Sequence, residues 1–495
     1  MEIFWFVIPT IILLLYLYYK KSYQYWEKKG IVTIKPKIPF GNLGNPFDGK
    51  GIEKMVRMYE TFKSMRVQYG GFYAGTTPML LLAHPDAVKT VVNKQFQSFN
   101  SHGSNIDEKE EPLLAHLFNL EGKRWRDMRV KLTPTFTSGK MKMMFQTMLD
   151  CGEQLERFVF ECTENGKPLD IKDTVACYTT DVIGSCAFGL DCNSFTNPNA
   201  EFRTYGKKVL TPNIKFTLRR LFNLPPSIVK LLQLHIVEPD VTDFFMGVVN
   251  DMINCRRTEN ITRNDFMQIL INMQDSAKAE GKAPMTTEEI AAQAFVFFAA
   301  GFETSSTTAS FCLYELARHQ NIQDKLREEI RTKIKENNGK ITYDGITEMK
   351  YLEQVINETL RKYPPVHTLP RRCTQNCTLP NGVLVEKGTK VLISVLGMHK
   401  DKEYFPNPEK FDPERFSDEN KHNIVPYSYL PFGEGPRICI GLRFGVMQTK
   451  VALCLLLKNF KVFPHSSTKY HMQFAGNTAV LSGKDPIILR TEKVN

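Results

Sequence analysis

The sequence lacks the features that would divide its 495 residues into several domains. After the first fifty residues it contains no Pro/Gly/Ser-rich linker, no low-complexity segment and no internal repeat. A chain of this length would by itself suggest about three domains. We therefore expect residues 51–495 to form one large continuous domain, preceded by two short N-terminal segments.

The eleven cysteines lack the paired spacing of a disulfide framework, and their number is odd. Both observations indicate reduced thiols in a reducing compartment, so we expect the large domain to face the cytosol. Glycosylation sequons begin at Asn260, Asn357 and Asn376. Such short motifs also occur by chance and remain unmodified on a cytosolic face, so we do not expect glycosylation.

A nucleic-acid-binding motif and a long Lys/Arg run are also missing, although the formal net charge is +11. Nucleic acid is therefore not an expected partner, and the basic surface suits an anionic membrane or an acidic protein instead. Hydrophobic residues make up 42% of the chain and aromatic residues 11%. This composition is sufficient to line both a sizeable core and a cofactor pocket.

Residues 3–19 carry no charge and would form a helix about 25 Å long, nearly the thickness of a bilayer core. Glu2 precedes this run and Lys20 and Lys21 follow it, whereas a cleavable signal peptide has a basic start and a small-residue cleavage site. By the positive-inside rule these lysines place the rest of the chain in the cytoplasm. We expect residues 1–21 to be an uncleaved transmembrane signal anchor; a buried core helix is the alternative.

The segment 22–50 contains Pro36, Pro39 and Pro46 together with Gly41 and Gly44. Prolines and glycines at this density favour a stiff turn. We expect this segment to be a hinge that sets the large domain against the membrane.

Residues 432–441 read FGEGPRICIG, which places Cys439 in a glycine-rich loop that leads into an apolar helix. Glycines allow the backbone to pass close to a flat macrocycle and to adopt positive φ. Peptide N–H groups and the start of the helix would favour the ionised form of the sulfur. The loop therefore indicates a thiolate ligand of haem iron, with Arg437 near enough to pair with a haem propionate.

Three other interpretations of this loop compete with the first. A dinucleotide-binding loop would need a glycine where Ile438 stands, followed by an acidic partner. A zinc site would need more cysteines or histidines at short spacing, and only Cys373-x-x-x-Cys377 comes near. Cys439 could also be a buried structural thiol, which is the usual role of a lone cysteine.

A long buried helix is predicted to begin at Thr286, because Thr286 and Glu289 have the spacing of a capping box and an apolar stretch follows. The middle of this helix carries Glu303 next to Thr304. A polar pair inside an apolar helix is unfavourable unless it has partners or a function. In the purely structural interpretation, Thr304 bonds back to a carbonyl and Glu303 forms an ion pair.

Taken together, these motifs resemble those of the cytochrome P450 superfamily. Residues 432–441 match F-x-x-G-x-R-x-C-x-G at every fixed position, and residues 300–304 resemble the oxygen-binding motif A/G-G-x-D/E-T. Residues 125–129, 358–361 and 413–416 resemble the W-x-x-x-R, E-x-x-R and P-E-R-F elements, in the expected order. The resemblance implies a mainly α-helical haem-thiolate fold with small β-sheets and an N-terminal transmembrane helix.

The resemblance also implies roles for individual residues around haem b. Thr304 would hydrogen-bond dioxygen and Glu303 would relay protons from solvent, while the Cys439 thiolate would favour O–O cleavage. The residues expected to contact the haem are Cys439, Arg437, Trp125, Arg129, Arg371, Phe432, Gly433, Ala300 and Gly301. Arg372 is the less favoured neighbour of Arg371.

Glu358 and Arg361 stand three residues apart on one helical face, a spacing that usually marks a surface ion pair of little energetic value. By the resemblance they would instead form a buried triad with Arg415 that braces the cysteine loop. The resemblance further implies an apolar substrate pocket formed by Phe99, Leu114, Phe118, Phe295, Phe298, Ala299, Val366, Leu369 and Val480, with Phe96 nearby. The segment 214–234 is expected either to dip into the membrane or to pack as ordinary core.

The implied activity is an NADPH-dependent monooxygenase in the endoplasmic reticulum membrane. Its partners would be dioxygen, a small apolar substrate and membrane lipid. NADPH-cytochrome P450 reductase would supply electrons from NADPH through its flavins, and cytochrome b5 is a second candidate electron donor. A cationic patch for the acidic reductase is expected at Lys123, Arg124, Arg126, Lys131, Arg443 and Lys450.

Residues 364–372 and 431–437 resemble insect microsomal members that detoxify xenobiotics, plant toxins and insecticides. Three alternatives remain open at this point. They are a hydroxylase of endogenous hormones, steroids or fatty acids, a haem-thiolate isomerase or dehydratase, and a haem carrier or sensor without turnover. The Glu303–Thr304 pair argues against the last two, since neither needs proton delivery to dioxygen.

Overall fold

The computed structural model describes residues 2–104, 106–197, 200–210, 215, 219, 226–380, 382–476 and 478–494. Most of the segment 211–225, and with it much of the stretch expected to meet the membrane, lies outside the described residues. The described part is mainly helical. The helices of its first half are α1 (Glu2–Ser22), α2 (Tyr25–Lys28), α3 (Gly51–Ser64), α4 (Pro85–Lys89), α5 (Gly122–Leu132), α6 (Ser138–Glu164), α7 (Ile171–Ile183), α8 (Glu201–Leu210), α9 (Pro226–Leu231) and α10 (Pro239–Thr258).

The helices of the second half include the longest of the described chain. They are α11 (Phe266–Ala279), α12 (Thr287–Arg318), α13 (Gln320–Glu336), α14 (Tyr343–Glu348), α15 (Lys350–Lys362), α16 (Val395–His399) and α17 (Leu442–Asn459). Short 3₁₀ turns connect several of them at Phe96–Ser98, Pro112–Leu114, Thr133–Phe136, Pro413–Phe416, Lys421–Asn423 and Gly435–Arg437, and π turns lie at Thr90–Lys94 and Gly184–Phe188.

The described residues also form three small β-sheets. A four-stranded sheet has the order β1 (Tyr69–Ala74), β2 (Thr77–Leu82), β7 (Lys390–Ser394), β4 (Thr368–Arg372), in which only the β2–β7 pair is parallel. A three-stranded antiparallel sheet has the order β3 (Leu169–Asp170), β9 (Ile488–Lys493), β8 (Phe460–Pro464), and β5 (Cys377–Thr378) pairs with β6 (Leu384–Val385). The mainly helical fold with small sheets is thus confirmed.

Helix α12 runs through the centre of the helical core and packs against α7 and α17. Its predicted start is confirmed: the Thr286 hydroxyl accepts the Glu289 N–H at 3.2 Å, and the Glu289 carboxylate accepts the Thr286 N–H at 3.1 Å. Nearly every side chain from Ile290 to Ala317 is buried. The accessible residues in its middle, described below, are therefore informative.

The N-terminal segments are partly as expected. Helix α1 covers most of the predicted anchor, but no helix of the described residues combines the length and the apolarity of a membrane span. The segment that follows packs on the sheet: the Trp26 side chain is fully buried, and its indole N–H donates to the Phe72 carbonyl at 3.2 Å. The segment 22–50, expected to be a hinge before the large domain, is therefore attached to β1 of that domain through Trp26.

Candidate functional site

The cysteine loop is held in a tight shape by glycines and main-chain hydrogen bonds. Gly433 and Gly435 adopt φ of 72° and 75°. A Cβ on Gly435 would lie 2.2 Å from the Val92 carbonyl oxygen, so only glycine fits there. The Cys439 N–H donates to the Phe432 carbonyl at 2.9 Å, which closes the loop. Cys439 stands three residues before α17, which begins at Leu442.

The environment of the sulfur combines burial with donors that favour a thiolate. Burial raises the pKa of the Cys439 thiol, while the Gly441 N–H and the charge of Arg129 lower it. Without a bound metal, burial raises the pKa of Cys439 by more than the Gly441 N–H and Arg129 lower it. A coordinating metal reverses that balance, because a thiol bound to a metal is deprotonated.

Cys439 is exposed, and yet burial raises the pKa of its thiol. This combination is expected of a side chain that faces a space within the protein rather than its outer surface. In the middle of α12, Ala300 is exposed and Thr304 is half-buried, whereas most of this helix is fully buried. The ring of Phe297 lies 5.1 Å from that of Phe444, so this part of α12 packs on the first turn of α17, beside the cysteine loop.

Two buried arginines near this loop, Arg371 and Arg437, form no ion pair with a carboxylate of the described residues. Arg371 is 2% exposed, and its Nε has no hydrogen-bond partner among the described residues. Burial lowers the pKa of Arg371 to about 10; burial and the charge of Arg371 lower that of Arg437 to about 9. Glu121, the carboxylate that acts on Arg437, is paired with Arg372 at 2.5 Å.

Guanidinium groups that repel one another in a buried site are unfavourable unless an anion binds between them. The site therefore fits a cofactor that carries carboxylates, as haem does with its two propionates. Trp125 belongs to the same cluster, because the Arg437 guanidinium lies 4.3 Å from the centre of its ring.

Arg437 also fastens the loop that precedes α5. Its N–H groups donate to the carbonyls of Asn100, Leu117, Phe118 and Leu120 at 2.6–3.3 Å. A propionate bound to Arg437, as predicted, would have to share these N–H donors with the four carbonyls. The contact of Arg437 with a propionate accordingly stays a prediction.

The polar pair of α12, Glu303 and Thr304, has local partners. The Thr304 hydroxyl donates to the Ala300 carbonyl at 2.6 Å, and the Glu303 carboxylate forms an ion pair with Lys172 at 3.0 Å. These are the two contacts of the purely structural interpretation. They do not exclude catalysis, because both groups also lie at accessible positions of an otherwise buried helix.

Lys172 and Glu303 both line a cavity of about 300 Å³ between α7, α8, α12 and residues 481–487, whose wall is mostly apolar but also carries Asp173, Arg203 and Lys207. The Lys172 ammonium group donates to the hydroxyls of Ser306 and Thr307 at 2.8 and 2.7 Å. Burial lowers the pKa of Lys172, and Glu303 opposes that effect. The cavity thus borders Glu303 and the charged side chains near it, whereas Thr304 is not part of its lining.

Behind the cysteine loop, the charged residues of the E-x-x-R element are completely buried. Arg361 donates to both carboxylate oxygens of Glu358 at 2.8 and 2.9 Å, and neither side chain is exposed. Glu358 also accepts the Asp412 N–H at 2.9 Å and lies 3.5 Å from Arg415. The pair is therefore not a surface pair, and its carboxylate is satisfied as a buried charge must be.

The residues predicted to line the pocket do not all share one environment. Phe118 is 49% exposed, and Leu369 reaches within 3.8 Å of the Cβ position of Gly433 in the cysteine loop. Val366, Ala299 and Val480 are half-buried, and the Leu481 N–H donates to the Pro365 carbonyl at 2.8 Å. Phe99 lies fully buried in the sheet-side core, whereas Leu114, Phe295 and Phe298 lie in the helical core with Phe96.

The predicted cationic patch needs one correction. Lys123, Arg124, Arg126, Lys131 and Arg443 are exposed, but Lys450 is 4% exposed and pairs with Glu353 at 3.2 Å. The reason is that α17 packs into the helical core, so position 450 faces α14 and α15 rather than solvent. Lys450 is therefore not part of a docking surface.

Three residues near the site were not found from the sequence. His102 stacks on Phe118 at 4.1 Å, and burial, with the charges of Arg371 and Arg437, lowers its pKa well below the usual range. Lys172 forms an ion pair with Glu303. His399 accepts a hydrogen bond from the Leu430 N–H, just before the cysteine loop. Each is far along the chain from its partner and belongs to no local motif, so no sequence signal pointed to them.

A cysteine that borders an interior space, with buried arginines suited to propionates, defines a haem-thiolate enzyme. Comparison with known proteins supports this class. The family model described as Cytochrome P450 matches residues 36–490. Cytochrome P450 6a2 of Drosophila melanogaster is 40% identical over 494 residues, which cover 97% of each chain.

Cytochrome P450 6k1 of Blattella germanica is 39% identical over 499 residues, with 96% of this chain and 94% of the relative covered. Cytochrome P450 6A1 of Musca domestica is 38% identical over 483 residues, with the same shares covered. The chain belongs to the cytochrome P450 family, and it is a monooxygenase. Its cofactor, haem b, supplies the activation of dioxygen when bound, with electrons from NADPH that arrive through a reductase.

Proposed function

We propose that this monooxygenase oxidises small apolar foreign compounds, including plant toxins and insecticides, at the cytoplasmic face of the endoplasmic reticulum. The observation that carries the proposal is the apolar character of the accessible side chains beside the cysteine loop. Phe118, Ala300 and Leu369 offer no charge to a substrate, so burial of apolar surface would provide most of its binding energy.

In this proposal the protein's own groups divide the work of catalysis. Cys439 is the iron ligand, and Arg129, Arg371, Arg437 and Trp125 hold the propionates. Thr304 donates a hydrogen bond toward dioxygen, and Glu303 passes protons from the adjoining cavity to Thr304. The single hydroxyl hydrogen of Thr304 is bonded to the Ala300 carbonyl, so the hydroxyl must rotate to donate to dioxygen; the accessible position of Thr304 on α12 supports this role.

The test is a substrate screen with the full chain, a reductase and NADPH. Binding spectra are recorded for insecticides, plant toxins, steroids, fatty acids and terpenoids, and products are analysed after turnover with isotopically labelled dioxygen. The proposal predicts one labelled oxygen atom in the products of several foreign compounds. Turnover confined to a steroid or fatty acid would overturn it in favour of an endogenous hydroxylase.

The proposed membrane location rests on α1. Its side chains from Phe6 to Tyr18 are apolar and largely exposed, and Lys20 and Lys21 follow on the side of the large domain. Exposed apolar surface of this extent needs a lipid or protein partner. Deletion of residues 1–21 should release the protein from microsomes; retention of all of it in the membrane fraction would contradict this role of α1.

The reductase is proposed to dock on the exposed cations of α5 together with Arg443. Reversal of charge there, with Arg126→Glu and Lys131→Glu combined, should lower the rate of reduction at low salt about tenfold. The two positions belong to none of the haem contacts described above. An unchanged rate would place the reductase elsewhere.

A comparison of Glu303→Gln with Lys172→Met separates the two interpretations of this ion pair. Both variants should lower the free energy of unfolding by about 1 kcal/mol, because the pair is partly exposed. If Glu303 relays protons, the yield of product per NADPH should fall roughly tenfold in Glu303→Gln and much less in Lys172→Met. Equal losses of yield in the two variants would leave Glu303 only its structural role.

A further inference from the structure

The structure contains a hydrogen-bonded connection between the buried charged pair and the cysteine loop, and it passes through His399. This residue ends α16 and has no exposed surface. Its carbonyl accepts Arg361 Nη1 at 2.9 Å, and its ring Nδ1 lies 3.1 Å from the Arg361 carbonyl. Main chain and side chain of His399 thus both bind the same arginine.

The other ring nitrogen of His399 faces the cysteine loop. Its Nε2 lies 2.9 Å from the Leu430 nitrogen. A peptide N–H can only donate and a carbonyl can only accept, so Nε2 is the acceptor and Nδ1 carries the hydrogen. Burial, and then the charge of Arg361, lowers the pKa of His399 to about 3, which agrees with this neutral ring.

From Leu430 the hydrogen bonds continue to the sulfur-bearing residue. The Leu430 carbonyl accepts the Gly433 N–H at 3.1 Å, and the Phe432 carbonyl accepts the Cys439 N–H at 2.9 Å. The charged group beside His399 is Arg361 of α15, which pairs with Glu358, and the Tyr429 ring stacks on the His399 ring at 5.3 Å. The Tyr429 hydroxyl also donates to the Asn357 carbonyl. The segment just before the cysteine loop is thus attached to α15 at two points.

We propose that His399 is a positioning residue for the iron ligand: by joining the Arg361 carbonyl to the Leu430 N–H, it fixes the place of the cysteine loop relative to the buried ion pair. Because Gly433 and Gly435 at positive φ make its backbone permissive, the loop depends on contacts with the rest of the protein for its place. Arg437 binds it to carbonyls of residues 100–120, and His399 binds the residue that precedes it to α15. Loss of the Leu430 bond would let the loop shift and weaken the sulfur ligand, although the rest of the fold stays intact.

The experiment measures the absorption band of the reduced carbon monoxide complex at roughly 450 nm, a hallmark of thiolate ligation in this family that is here called the thiolate band. His399→Phe removes both ring hydrogen bonds at similar volume. His399→Gln can retain an acceptor for the Leu430 N–H, whereas His399→Asn can retain only the donor to the Arg361 carbonyl. The thiolate band should decay about tenfold faster in the Phe and Asn variants, and Gln should restore most of its lifetime.

A matched control excludes general loss of stability. Arg256 and Asp265 form a buried pair at 2.6 Å between α10 and α11, away from the cysteine loop. Asp265→Asn should lower the midpoint of urea unfolding as much as His399→Phe does, and yet retain the thiolate band below that midpoint. Equal decay of the band in these two variants, or a wild-type lifetime in His399→Phe, would overturn the proposal.

The inference depends on Cys439 as the iron ligand but not on the class of substrate. A wild-type protein without the thiolate band would refute the ligand assignment. A normal wild-type band together with an unaffected His399→Phe variant would refute only the role of His399.

Discussion

Replacement of Arg361 by Leu is expected to yield a protein that retains little haem and unfolds at much lower urea concentration. The substitution leaves the Glu358 carboxylate buried without its cation, and it removes the donors to the carbonyls of His399 and Pro408. Breaking a buried pair in this way costs about 3–5 kcal/mol. That is a large part of the roughly 5–15 kcal/mol that stabilises a typical fold.

The measurement is the urea midpoint together with haem bound per chain. Lys333 and Glu336 provide a matched control with the same three-residue spacing on a helix, but at the surface. Glu336→Gln should change the free energy of unfolding by less than about 1 kcal/mol. Wild-type haem content and midpoint in Arg361→Leu would show that the buried pair does not brace the site.

Replacement of Thr304 by Ala is expected to keep haem but to divert electrons from product to hydrogen peroxide. The hydroxyl lies at an accessible position of α12, and to deliver a proton it exchanges its bond to the Ala300 carbonyl for one to dioxygen. Proton transfer by a positioned group contributes roughly 10²–10⁴ to a rate. We therefore expect the yield of product per NADPH to fall at least about tenfold, while NADPH consumption continues.

Thr308 offers a control one turn further along the same helix. Its hydroxyl makes the same kind of bond, to the Thr304 carbonyl at 2.9 Å, but its side chain is buried. Thr308→Ala should leave the partition between product and peroxide nearly unchanged. If Thr304→Ala couples NADPH to product as well as wild type does, Thr304 has no part in proton delivery.

Features that depend on local spacing could be predicted from the sequence. The capping box of Thr286 and Glu289 needs only residues three apart, and the structure contains both of its hydrogen bonds. The cysteine loop likewise shows its glycines, its cysteine and its following helix within ten residues. The spacing of Glu358 and Arg361 does not by itself indicate burial, because the same spacing suits a surface pair.

Features that depend on tertiary contacts could not be predicted in this way. Lys172 meets Glu303 across 131 residues of sequence, and His399 meets Leu430 across 31. The sequence predicts Lys450 in a surface patch of cations, but the packing of α17 buries this side chain. Such contacts are decided by which helices pack together, which the order of motifs along a chain does not specify.

The central claim is that Cys439 binds haem iron through its sulfur. The most direct measurement is the spectrum of the reduced carbon monoxide complex of the wild-type protein and of Cys439→Ala, both produced with ample haem precursor. The account predicts the thiolate band in the wild type and its complete loss in the variant. A wild type without that band, or a variant that retains it, would contradict the account.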